Sequence, residues 1–164
     1  MHGLGLAVKE ELLLKNTEDT GIHIQNSGAG TLYANYLIAT ENNAWANNWG
    51  SIIYTNKWYH IVMTYDGNLS SDQLKGYLNG SMDGQWSKTG NILSNLVMVL
   101  VGQWNAVITT GYFDGAIDDV RIYNYNLTSS QIKQNYIAGL DFLLSKGLVS
   151  EGEYDQRLNE LAVK

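Results

Sequence analysis

Cysteine and proline are both missing from this 164-residue chain. Without cysteine, disulfides, thiolate metal sites and cysteine nucleophiles are excluded. Export is not, because a large β-sandwich is stable outside the cell without disulfides. The missing proline, where about eight are expected at the usual ~5%, has no physical account in the sequence. Positive charge is scarce and scattered: ten Lys and Arg stand against sixteen Asp and Glu, for a net charge of −6. A nucleic-acid binder needs a basic footprint, so that class is disfavoured, and an anionic membrane surface for the same reason. Long apolar runs are missing too. The longest, LVMVLV at 96–101, is too short for a membrane span, and MHGLGLAVKEELLLK lacks the basic start and long apolar run of a secretory signal.

What is present reads as one globular domain with a sizeable core, 45% hydrophobic and 16% charged. Eleven Tyr and five Trp outnumber two Phe. Such residues suit half-wet binding faces or the core strands of an all-β protein, and both readings stand. Sequons at Asn68, Asn79 and Asn126 are compatible with export.

From Glu11 to about Tyr125, short apolar runs are cut by Gly, Asn, Asp and Ser, as in an antiparallel all-β domain. Strands are expected at 11–15, 21–25, 31–39, 51–55, 58–65, 73–78, 81–86, 97–103 and 116–123. Asn79-Gly80 fits the type I′ turn of a hairpin, whose central residues need positive φ. From Thr128 the period turns helical, with Ile132, Tyr136 and Leu140 at i+4. Thr128, Ser129 or Ser130 can cap the helix, and Gly147 can end it. SEGE at 150–153 has capping-box form and opens a second helix. The expected division is a β-sandwich over 1–127 and a helical hairpin over 128–164. The hairpin is either a packed lid or a docking element.

Two stretches, KWYHIVMTYDG (57–67) with KGYLNGSMDG (75–84), and YFDGAIDDVRIYNYNLTSSQI (112–132), resemble the laminin-G-like jelly-roll domains of the concanavalin A-like lectin/glucanase superfamily. The resemblance covers about 11–137. It implies a sandwich of two antiparallel sheets, with roles in glycan binding, cell-surface adhesion or as an enzyme's accessory module. Members carry some sixty more residues before the point that ELLLKNTEDTGIHIQ matches, so the first strands are expected to be absent. That leaves an incomplete sheet edge: either the chain is the C-terminal part of a longer protein, or another chain fills the gap, with self-association through that edge or the C-terminal helices as one route.

Asp118 and Asp119 are the acidic pair to weigh. Strand alternation places Asp118 with Val120 and Ile122, and Asp119 with Arg121 and Tyr123. On that reading they cannot flank one bond as a glycosidase pair must, about 5–9.5 Å apart. The chain also has no Glu-x-Asp-x-(x)-Glu strand of the glucanase type, no nucleophile elbow and no dinucleotide fingerprint in GLGL, so no enzyme is expected. Asp118, on the apolar face, is either a structural acceptor or, with Asp114, a calcium ligand. Many relatives bind calcium. Asp119 and Arg121 read as an exposed pair of little energetic weight. His60 reads as a packed residue.

ENNAWANNWG (41–50) is the best functional surface. A flat aromatic stacks on the apolar face of a sugar, and an amide both donates to and accepts from its hydroxyls. Trp45, Asn47, Asn48 and Trp49 are the candidates, and Gln103, Trp104, Asn105 and Tyr112 form a second polar-aromatic group. The expected function is a non-catalytic carbohydrate-binding module of an exported or cell-surface protein. The alternative is a structural, adhesion or self-assembly domain that binds protein.

Overall fold

The computed structural model describes residues 3–9, 20–26, 31–43, 48–93, 100–103 and 112–163. Within them lie strands β1 (Gly3–Lys9), β2 (Gly21–Asn26), β3 (Leu32–Leu37), β4 (Trp49–Ile53), β5 (Tyr59–Tyr65), β6 (Leu74–Leu78), β7 (Ser81–Trp86) and β8 (Ala116–Tyr123). Helices α1 (Ser129–Ser145) and α2 (Glu151–Ala162) follow. The strands form two antiparallel sheets, one of five in the order β7-β6-β5-β1-β8 and one of three in the order β2-β3-β4. The expected strand at 11–15 and the first residues of that at 97–103 lie outside the described residues. Of the latter, Gln103 makes a single bridge to Tyr112.

Period-two patterning explains the sandwich. Ile22 and Ile24 of β2, Ala34 and Tyr36 of β3, Ile61 and Met63 of β5 and Leu74 of β6 are buried in one core between the sheets. Residues 3–9 were expected to hold no strand, and the strands that pair near the chain's end were expected to be missing. Instead β1 lies between β5 and β8, pairing with both along its length.

The Asn79-Gly80 turn has φ of 50° and 77°, as the type I′ reading requires. The Asn79 side-chain oxygen accepts from the His60 amide at 3.1 Å, which ties the turn to β5.

The helical hairpin packs on the outer face of the five-stranded sheet. Ile132 of α1 and Leu127 before it join Val62 and Tyr77 in a second apolar cluster. Thr128 is the N-cap, with a full capping box to Gln131; Gly147 takes φ 67° just past the helix. Ser150 caps α2 by accepting from the Glu153 amide. Arg157, only 8% exposed, reaches from α2 to donate to the Trp58 carbonyl at 2.8 Å while paired to Glu153. These contacts pack the hairpin against the sheet.

Candidate functional site

Because Ile22, Ile24, Ala34 and Tyr36 face the core, the alternate residues His23, Gln25, Tyr33 and Asn35 take the opposite face of the three-stranded sheet. Asn35 pairs with Trp49 across β3 and β4. Trp49 is 42% exposed and its ring makes a T-shaped contact with Tyr33, with centroids 5.6 Å apart at 74°. Beside them, the Asn35 amide donates to Gln25 Oε1 at 2.8 Å. The result is a partly exposed indole beside a tyrosine and the half-buried Gln25 amide, with Asn35 itself fully buried.

Three features fix the strand that carries Trp49. Gly50 turns inward, where an added Cβ would overlap Asp83 Oδ2 and meet the Tyr36 ring at 2.8 Å. The Ser51 amide and hydroxyl both donate to the Asp83 carboxylate, and the Tyr36 hydroxyl donates to Asp83 Oδ2 at 2.9 Å. One carboxylate on β7 thus clamps β4 and β3 from the other sheet. Burial pushes the Tyr36 phenol well above its ordinary pKa, and the adjacent Asp83 charge adds to the rise, so Tyr36 stays a donor.

Of the residues expected to bind sugar, Trp45, Asn47, Trp104 and Asn105 lie outside the described residues. Trp49 is at the surface, and so is Tyr112, 56% exposed and bridged to Gln103. Asn48 has a different place. It is 4% exposed, its side-chain amide donates to the Tyr36 carbonyl at 2.6 Å, and its backbone amide donates to Asn35 Oδ1 at 2.9 Å. The side chain is spent on the backbone of β3 and holds the strand end beneath Trp49. Gln25 and Tyr33 were not expected at this face, although the alternation in GIHIQ and LYANYL already sets them opposite the apolar positions.

The acidic pair needs a correction. The β1–β8 register shifts between Gly5 and Ala7, where Arg121 and Asp118 are the partners. Asp119 and Val120 therefore oppose Leu6 alone, and Asp119 takes φ 54°. This bulge breaks the assumed alternation: Asp118 and Asp119 both line one groove of about 350 Å³ between the five-stranded sheet and α1. Nor is Asp118 on a buried apolar face. Asp114, Asp118, Val120 and Ile122 are all exposed, and Asp118 Oδ1 accepts from the Asp119 amide at 2.8 Å. Asp119 is paired to Arg121 at 2.7 Å, as expected. Among the described residues no group of three or more His, Asp or Glu gathers as a metal site.

Comparison with known proteins places this geometry. A laminin-G-type family profile, described as the concanavalin A-like lectin/glucanases superfamily, matches residues 6–133. No curated protein matches the chain. Among solved structures, a native heptameric SAP-like pentraxin from Limulus polyphemus is similar at 20% identity and TM-score 0.58, over 80% of this chain and 67% of that one. Domain 4 of AbnA, a GH43 extracellular arabinanase from Geobacillus stearothermophilus, in complex with arabinotriose, matches at 21% identity and TM-score 0.54. That match covers 81% of this chain and 65% of that one, slightly under two thirds of its length. The CBM40 of the Ruminococcus gnavus IT-sialidase, bound to α2,3 sialyllactose, matches at 12% identity and TM-score 0.58, over 82% of each chain. At these identities the likeness is one of fold.

Proposed function

The chain belongs to the concanavalin A-like lectin/glucanases superfamily, and from that premise we propose that it is a non-catalytic carbohydrate-binding module whose glycan rests on Trp49. The observation that carries the reading is the Trp49–Tyr33 pair on the outer face of the three-stranded sheet. A partly exposed indole offers aromatic surface to the C–H side of a sugar ring. Gln25, half-buried, supplies an amide at the same face, and the fully buried Asn35 holds it in place. Solved domains of this fold hold arabinotriose and sialyllactose, which supports a sugar as the class of ligand. The parent is proposed to be exported or at the cell surface, where such a module meets glycans.

The non-catalytic part of the reading rests on the acidic pair. A general acid for glycoside cleavage is kept protonated by an apolar pocket. Asp118 and Asp119 are both exposed, and Asp119 is engaged by Arg121. The test is a glycan-array screen of the folded chain and of Trp49→Ala. Specific signals that vanish in the variant support the reading; an array blank for the folded wild type overturns it.

A further inference from the structure

We propose that the groove between β8 and α1 is a second ligand site, taking a ring-sized molecule that carries a primary ammonium group. It lies on the outer face of the five-stranded sheet, across the sandwich from Trp49. Its volume of about 350 Å³ falls in the range of small-molecule sites.

Charge points to the ligand. His60, Asp118, Asp119, Arg121 and Tyr123 line the sheet side, and Arg157 lies in the lining as well. Arg121 engages Asp119 at 2.7 Å, and Arg157 engages Glu153 at 2.6 Å. Among the described residues that leaves the Asp118 carboxylate, which accepts only from the neighbouring Asp119 amide, without a cation of its own. Burial, opposed in part by Asp119, lowers the His60 pKa to about 4, so the imidazole adds no positive charge near neutral pH. The groove thus carries one surplus negative charge on an exposed carboxylate, to which an ammonium is complementary.

Four further features read as a built site. The His60 Nδ1 atom is buried and has no hydrogen-bond partner, an unusual state for a buried polar atom. Asp119 holds a left-handed backbone conformation, φ 54°, which is uncommon for a residue other than glycine and is the kind of strain that gathers at ligand sites. It is also what brings both carboxylates into the groove. On the opposite wall α1 carries Gly139, where an added Cβ would meet nothing within 4 Å. Glycine inside a helix costs stability, and here it keeps the wall low. Phe142, 47% exposed, offers an aromatic surface that favours a cation.

An amino sugar and an apolar cyclic amine share this chemistry. Calorimetric titration of the whole chain with glucosamine and with cyclohexylammonium, against glucose and cyclohexanol, tests the proposal. Binding of one or both ammonium compounds, and of neither neutral one, is expected; which of the two binds identifies the source. Asp118→Asn should weaken it about tenfold or more, Gly139→Leu should block it, and Gly139→Ala and Trp49→Ala should leave it intact. The Trp49→Ala arm separates this site from the proposed glycan face. Failure of both ammonium compounds, equal binding of the neutral ones, or binding indifferent to Asp118→Asn and Gly139→Leu would overturn the proposal.

Discussion

The same small change, glycine to alanine, should have opposite signs at two positions. At Gly76 of β6 an added Cβ would lie 2.5–2.6 Å from three ring carbons of Tyr36. That ring cannot retreat. It is fully buried, its hydroxyl is bound to Asp83 at 2.9 Å and close to the Tyr77 carbonyl at 3.2 Å, and Trp86 packs against it at 5.6 Å. Overpacking of this kind costs about 1–3 kcal/mol. At Gly139, inside α1, an added Cβ meets nothing within 4 Å, and the helix recovers about 0.5–1 kcal/mol. For a chain of this size each kcal/mol moves Tm by about 2–4 °C. Gly76→Ala should then lower Tm by about 2–12 °C, and Gly139→Ala should raise it by about 1–4 °C. Differential scanning calorimetry of both variants beside the wild type reads the two signs directly. A neutral or stabilising Gly76→Ala would refute the placement of Tyr36 between the sheets, and with it the Asp83 clamp that orders the Trp49 strand.

Two other outcomes follow from the same contacts. His60 titrates near 4 when folded, against its ordinary 6.5, so the unfolded chain binds more protons between those values and stability falls as pH drops from about 6.5 toward 4. The loss is about 2–3 kcal/mol, and urea midpoints across that window should flatten in His60→Phe; an unchanged slope would contradict the burial. Asn48→Ala removes a buried amide bonded to the Tyr36 carbonyl and should cost about 1–3 kcal/mol, read as a lower Tm; a neutral result would return Asn48 to the surface.

Much of this architecture was legible before any coordinates. GIHIQ, LYANYL and WYHIVMTY alternate with period two because each has a core face, and Asn79-Gly80 marks its hairpin by the φ those two residues tolerate. Thr128 and Ser150 mark the helix starts through local hydrogen bonds. What was not legible depends on pairing across the chain. GLGLAVK has no polar alternate positions, so only its registry with β5 and β8 makes it a strand. Asp119 shows no sign of a bulge in its own sequence, because the bulge exists against Leu6 of β1; assuming regular alternation therefore sent Asp118 to the wrong environment. Asn48 and its neighbours look alike in composition, and only the position of the Tyr36 carbonyl decides which amide is buried. Trp49 stood out because an aromatic among amides suits a sugar, but its brace, Tyr33, comes from another strand.

The central claim is that Trp49 holds a sugar. The most direct measurement is a calorimetric titration of the best array glycan into the wild type and into Trp49→Ala, with Tm recorded for both. Trp49 is 42% exposed, so the variant should keep its fold while losing about 2 kcal/mol or more of binding, roughly thirtyfold in Kd. A folded Trp49→Ala that binds the glycan as tightly as the wild type would contradict the account.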